Sequence, residues 1–237
     1  MAQITDFHSH ILPGIDDGSA SVEESIAMLR MEAEQGIDHV IATPHFYAKH
    51  DSPEEFLKRR NEAEILLREE MAKYDGLPQL SVGAEVYFFS GIADSDVLRE
   101  LTIDKKECMI LEMPPDSWTH SMYREIEGIS VRQGITPIIA HIDRYIRPFK
   151  TRQIMERLEH LPVLIQANAS FFLFPHTKRL ALRMLKEDRI HLLGSDCHNL
   201  VLRPPNLGQA IELIEKRLGT DALLTIEEYQ DILLQTD

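Results

Sequence analysis

The stretch Gly36-Ile37-Asp38-His39-Val40-Ile41-Ala42-Thr43-Pro44-His45 decides how the chain is built. Gly36 stops a helix, because glycine enters the left-handed conformation of a helix C-terminus without steric cost. Val40-Ile41-Ala42 is a short apolar run, as a fully buried strand is, and it breaks off into the polar Thr43-Pro44-His45. Upstream, Ser21 caps the helix that Gly36 ends. Glu24, three residues on, completes a capping box, and Val22, Ile26, Leu29 and Ala33 lie along one face. Before that helix stands another apolar run, around Ile4, ending in Asp6-Phe7-His8-Ser9-His10. Strand, crossover helix and strand imply parallel pairing.

The same unit recurs outward along the chain. Further strands are read at Leu80-Ser81-Val82, Met109-Ile110-Leu111, Ile138-Ile139-Ala140, Val163-Leu164-Ile165 and Ile190 to Leu193, making seven with the first two. Ser52-Pro53-Glu54-Glu55 opens the second helix, with proline at its preferred first helical position. Gly219 ends one late helix, and Thr225-Ile226-Glu227-Glu228 starts the last. Seven β/α units in 237 residues suggest one domain over residues 1–237, α/β in class, closed or nearly closed into a (β/α)7 barrel. An open doubly wound sheet is the runner-up, weakened by the lack of a glycine-rich fingerprint after the first strand.

Each apolar run stops at a polar group. The second ends in His45, the third in Ala84-Glu85, the fourth in Glu112 and the fifth in His141-Ile142-Asp143-Arg144. The sixth ends in Asn168 and the seventh in Asp196-Cys197-His198. In a parallel barrel all of these face the C-terminal rim, where barrel enzymes place their chemistry. His8 and His10, two apart on an extended strand, point to one side and can grip one ion together. Carboxylates mixed with imidazoles, without a convincing thiolate, suit Mn²⁺, Fe²⁺ or Zn²⁺ better than a cysteine-rich structural zinc site. Four carboxylates and five histidines exceed the needs of one ion and imply a cluster with bridging ligands. His39, His120, His160, His176 and His191 take the ordinary structural reading, His50 is left unassigned, and Asn168 is read as satisfying local backbone groups.

Composition bounds the partners. The 25 basic residues against 39 acidic ones leave a net charge of -14, which argues against nucleic acid and anionic membrane as partners. No apolar tract is long enough to span a bilayer, and residues 1–10 lack the pattern of a secretory signal. Two cysteines are too few for a disulfide framework, so a cytoplasmic protein is expected.

Taken in order, D-F-H-S-H from Asp6, G-I-D-D-G-S from Gly14, H-V-I-A-T-P-H from His39, G-A-E from Gly83, A-H-I-D-R from Ala140 and G-S-D-C-H from Gly194 resemble the PHP (polymerase and histidinol phosphatase) superfamily. The resemblance is nearest to its bacterial protein tyrosine phosphatases of the CpsB/CapC type, associated with capsule and exopolysaccharide synthesis, and it covers nearly the whole chain. It implies a distorted (β/α)7 barrel holding three divalent ions, usually taken as manganese. Carried over, His8, His10, Glu85 and Asp196 would hold the first ion, Glu85, Glu112 and His141 the second, and Asp17, His45 and His198 the third. Asp6 would orient a ligand histidine, and Arg144 and Arg203 would bind phosphate. The family's frequent histidine after T-P-H is Phe46 here, and A-H-I-D-R replaces a version containing proline and glutamate.

The implied chemistry is attack on phosphorus by a hydroxide that the ions generate from water, with the two arginines absorbing charge on the phosphoryl oxygens. His198, Asp143 and a metal-bound water are all candidates for the proton donor to the leaving group. The expected partner is a phosphotyrosine protein, by family analogy the tail of a bacterial tyrosine kinase. A small phosphate ester such as histidinol phosphate, or a non-catalytic phosphotyrosine-binding regulator, is the alternative. Cys197 and Arg203 also match C-x5-R, the spacing of cysteine-dependent tyrosine phosphatases. That reading is disfavoured, since His198-Asn199-Leu200-Val201-Leu202 has no glycine and makes a poor nest of N–H groups.

Overall fold

In the computed structural model, which describes residues 2–115, 117–145 and 151–234, the apolar runs are parallel strands separated by helices. The elements are β1 (Asp6–Ser9), α1 (Val22–Glu34), β2 (His39–Ala42), β3 (His45–Phe46), α2 (Pro53–Met71), β4 (Gln79–Val82) and β5 (Glu85–Tyr87). They continue as α3 (Leu98–Leu101), β6 (Cys108–Glu112), α4 (His120–Gln133), β7 (Thr136–Ile139), α5 (Thr151–Leu158), β8 (Leu164–Asn168), α6 (Ala169–Leu173) and α7 (Lys178–Lys186). β9 (Leu192–Gly194), α8 (Leu207–Leu218) and α9 (Asp221–Leu234) complete the series.

Among the described residues, nine hydrogen-bonded segments occupy seven places around a ring. β2 and β3 are one strand broken at Thr43-Pro44, where proline has no N–H for the ladder. β4 and β5 are the neighbouring strand, broken at Gly83-Ala84 and still stitched across by Gly83 N–H to Ala42 O and Glu85 N–H to Pro44 O, both 2.9 Å. One run pairs β1-β2-β4 and the other β3-β5-β6-β7-β8-β9. The remaining seam, β9 to β1, is closed by a parallel bridge between Ser9 and Cys197 and by Asp196 N–H to His8 O at 2.7 Å and His10 N–H to Cys197 O at 2.9 Å. This is a distorted (β/α)7 barrel, and the closed seam rules out the open doubly wound sheet.

Strand alternation divides the core in two. Phe7, Ile41, Ile110, Ile138 and Leu192 point inward and fill the barrel, all fully buried. Val40, Ala42, Met109, Leu111, Ile139 and Leu193 point outward to the helices. Burying each such side chain contributes about 1.5–3 kcal/mol relative to leaving it exposed. On the N-terminal side of the barrel Tyr229, Leu233 and Leu234 of α9 pack against the interior residues. Gln230 fixes that helix to the start of β1, accepting from Thr5 N–H at 3.0 Å and donating to Gln3 O at 3.0 Å. With that end packed, the open end is the C-terminal rim.

Helix ends follow the expected chemistry with two corrections. Ser21 Oγ accepts from Glu24 N–H, but the Glu24 carboxylate reaches Ala20 N–H, one residue short of a reciprocal box. The last helix begins at Asp221, four residues before Thr225, whose hydroxyl donates back to Asp221 O within the first turn. Gly36, at φ 81°, closes α1 as expected.

Candidate metal centre

All nine sequence-predicted ligand residues come together on the rim. His8 Nε2 and His10 Nε2 lie 3.2 Å apart, and each is 3.3 Å from Glu85 Oε2. Asp196 Oδ1 stands 3.8 Å from the first and 3.6 Å from the second. On the other side of Glu85, its Oε1 meets His141 Nε2 at 2.7 Å, and Glu112 Oε1 lies 3.6 Å from the same nitrogen. Further out, Asp17 Oδ1 is 3.5 Å from His45 Nε2 and 3.6 Å from His198 Nε2. His45 also leans on Glu85, with Nδ1 2.8 Å from Oε2 but without the alignment of a hydrogen bond. Glu85 thus stands at the centre, touching four imidazoles from the ends of three strands.

Tautomers are set by the outer contacts. His10 Nδ1 donates to Asp16 Oδ2 at 2.8 Å, His198 Nδ1 to Asp196 O at 3.1 Å, and His8 Nδ1 to Gln166 Oε1 at 3.3 Å. Each bond turns the ring's Nε2 into the cluster. Glu85 Oε2, Glu112 Oε2, His45 Nδ1 and His198 Nε2 are buried there without hydrogen-bond partners. Unsatisfied lone pairs of nitrogen and carboxylate oxygen, converging at 3–4 Å, are the donor set of borderline divalent cations. The residues therefore fit a metal cluster.

The electrostatics agree. Burial pushes the Glu85 carboxyl up, yet the facing His8, His10, His141 and His45 outweigh it and hold it well below the usual range. Burial pushes His10 down, and Asp16 and Glu85 lift it to about 10. Positive charge is drawn into this pocket in an acidic chain.

Two strand ends carry unusual backbone. His141 has φ 31° and Asp196 φ 54°, in the left-handed region costly for residues with a Cβ. His141 N–H is held by Gln166 Oε1 at 2.6 Å and Asp196 N–H by His8 O at 2.7 Å. Asp196 also gathers both predicted arginines, Arg144 Nη2 on Oδ2 and Arg203 Nη2 on Oδ1, each at 2.5 Å, together with Asn168 Nδ2 at 2.8 Å. Gly194 is required by close approach, since a Cβ there would lie 2.6 Å from His8 Cβ.

Several supporting residues escaped the sequence reading. Asp16 holds His10 while the assigned Asp17 is 70% exposed, a distinction invisible within Asp16-Asp17. Gln166 braces both His8 and His141, and its polar side chain two residues before Asn168 on one strand was the available signal. Asn168 itself reaches Asp196, beyond its expected local role. Asp6 does orient His8, though through the backbone, with Oδ1 accepting His8 N–H at 3.1 Å and Ser195 N–H at 2.9 Å.

The C-x5-R match has no phosphate cradle. Asn199 Oδ1 takes the N–H groups of Val201, Leu202 and Arg203, and Arg203 O takes those of His198 and Asn199. Cys197 is fully buried on the opposite side from the ligands, and burial, with Glu32 and Asp6 nearby, pushes its thiol well above the ordinary range. It is not a thiolate.

A seven-place parallel barrel that converges imidazoles and carboxylates on one rim defines a class of proteins built to hold a cluster of divalent cations. Within that class, the chain belongs to the family described as capsular polysaccharide synthesis, CpsB/CapC, whose profile matches residues 4–232. It is 32% identical to the tyrosine-protein phosphatase CpsB of Streptococcus pneumoniae, over 90% of each chain. It is 26% identical to the tyrosine-protein phosphatase YwqE of Bacillus subtilis, over 97% of this chain and 91% of that one. A solved structure, described as YwqE from Bacillus subtilis and CpsB from Streptococcus pneumoniae, unique metal-dependent tyrosine phosphatases, superposes with a TM-score of 0.85 at 25% identity, covering 98% of this chain and 96% of that one.

Proposed function

We propose that this protein is a metal-dependent protein tyrosine phosphatase acting on a phosphotyrosine protein of capsule or exopolysaccharide synthesis, by analogy the tail of a bacterial tyrosine kinase. The observation that carries the reading is Glu85, fully buried among four imidazoles with an unpartnered oxygen directed into the cluster. In this reading His8, His10, Glu85 and Asp196 hold one ion, Glu85, Glu112 and His141 a second, and Asp17, His45 and His198 a third, with Mn²⁺ favoured and Fe²⁺ or Zn²⁺ as alternatives. When bound, the ions acidify water to a nucleophile at neutral pH and neutralise charge on the phosphoryl group.

The chain's own residues do the rest. Arg144 and Arg203 approach Asp196 from two sides, and their guanidinium forks can each pair two phosphoryl oxygens and orient the ester for in-line attack. Burial, with His10 and Arg203 beside it, lowers His198 to about 4, which favours its ring nitrogen as a lone-pair donor toward an ion. A tyrosyl oxygen, with a pKa of about 10, leaves with less protonation than an alkyl alcohol. Among the described residues no helix is long and apolar enough to cross a membrane.

The test is a chelator titration against a phosphotyrosine peptide and small phosphate esters, with elemental analysis of the loaded protein. Chelation should abolish phosphotyrosine hydrolysis, Mn²⁺ should restore it, and Cys197→Ser should match wild type. A chelated enzyme that stays active while Cys197→Ser is dead sinks the reading. Faster turnover of a small ester than of any phosphotyrosine peptide overturns the substrate assignment.

A further inference from the structure

Strand register places two tyrosines directly above the ligands. β3 and β5 pair His45 with Glu85 and Phe46 with Val86. Phe46 and Val86 are fully buried in the helix-facing core, and Phe46 packs on Phe56 with ring centres 5.1 Å apart. Alternation returns the next residues, Tyr47 and Tyr87, to the side of His45 and Glu85, one two-residue step of about 6.6 Å further out. The rings meet there. Tyr47 and Tyr87 centres are 5.5 Å apart at 44°, and Tyr47 lies 5.2 Å from the His45 ring at 31°. Both tyrosines are partly exposed, so their rings border the way out of the cluster.

A phosphoryl group seated on the cluster must project its ester substituent outward, past this shelf. An alkyl substituent gains little from two tilted aromatic faces, whereas an aryl ring gains offset or edge-to-face stacking. We infer that Tyr47 and Tyr87 form a ring-binding subsite that favours aryl over alkyl substituents on the phosphorus. The inference rests on the phosphatase reading for its biological meaning, but the shelf can be tested by binding alone. Phe46, where the family often has histidine, points away from the mouth into the helix-facing core, and its neighbour Tyr47 borders the pocket.

The experiment uses the metal-loaded full chain and two non-hydrolysable anions, phenylphosphonate and methylphosphonate, with affinities measured by calorimetry. Wild type should bind the phenyl compound more tightly. In Tyr47→Leu/Tyr87→Leu the phenyl-to-methyl affinity ratio should fall roughly 3- to 10-fold with methylphosphonate affinity unchanged, and Tyr47→Phe/Tyr87→Phe should keep the wild-type ratio. An unchanged ratio in the leucine variant overturns the subsite, as does an equal loss for both anions, which would mark a purely structural role. Failure of the phosphatase reading is seen separately, as absence of phosphotyrosine hydrolysis by the loaded wild type.

Discussion

Asp16 and His10 are joined side chain to side chain, Asp16 Oδ2 accepting from His10 Nδ1 at 2.8 Å, and the same carboxylate oxygen takes His45 N–H at 3.0 Å. One buried acid therefore sets the tautomer of one candidate ligand and the backbone position of another. Asp16→Asn should weaken metal binding about 10- to 100-fold, the range found for residues that brace metal-ligating histidines. Activity measured against free Mn²⁺ should recover at higher metal concentration. A half-saturation point equal to wild type would falsify this role for Asp16.

Gly194→Ala should damage the site by steric means. The added methyl would meet His8 Cβ at 2.6 Å, Gln166 Nε2 at 2.8 Å and His8 N at 3.0 Å, two of them on the very residue that must keep its place. Overpacking of this kind costs about 1–3 kcal/mol. Denaturant unfolding should show that loss together with reduced metal stoichiometry. Wild-type stability with full metal content would show that β9 and β1 are looser than their contact implies.

Behind the site, Glu32 and Asp6 bring two buried carboxyl groups together, with Glu32 Oε1 and Oε2 and Asp6 Oδ2 lacking conventional donors. Burial and the neighbouring Asp6 push Glu32 well above its ordinary 4.5. Asp6 is itself raised by burial, which the two backbone N–H groups it accepts only partly offset. The folded protein thus keeps a Glu32 proton that the unfolded chain releases above about pH 4.5, so this group's contribution to stability declines as pH rises. Glu32→Gln keeps a donor toward Asp6 and removes that decline. Its stability relative to wild type should improve steadily from pH 5 to 8 in urea unfolding, and parallel curves would refute the shared proton.

His191 acts at the other end of the pH scale. Its Nδ1 accepts Ile165 N–H at 2.9 Å, which requires an unprotonated nitrogen, and burial lowers its pKa from 6.5 despite nearby Asp188. The unfolded chain therefore binds a proton below about pH 6.5 that the folded chain resists, and stability falls as the solution is acidified. His191→Gln should flatten the part of the loss that begins just below pH 6.5. The same slope in variant and wild type would assign the acid sensitivity elsewhere.

Much of this architecture was legible because burial writes itself into strands as uninterrupted apolar runs. Val40-Ile41-Ala42 and Met109-Ile110-Leu111 are buried on both faces, and their polar ends mark the rim. The broken strands at Pro44 and Gly83 were harder, since a short interruption resembles a strand end. The left-handed backbone of His141 and Asp196 had no compositional signal, because neither is glycine. The choice of Asp16 over Asp17 as the inner acid depends on how the loop turns around Gly18, where a Cβ would lie 2.3 Å from His10 O. The tyrosine shelf follows from register between two strands, which one strand read alone does not contain.

The stitching of α9 to β1 has a consequence in time. Gln3 bonds to Glu227 and Thr5 to Gln230, contacts spanning 224 and 225 residues. During synthesis the first strand emerges early and waits for a helix made more than two hundred residues later. The barrel's lower end cannot close until that helix has been made, so β1, which carries His8 and leads into His10, lacks its final lid until then. Closing contacts this distant in sequence carries a loop-closure entropy cost that grows with the length of chain between them.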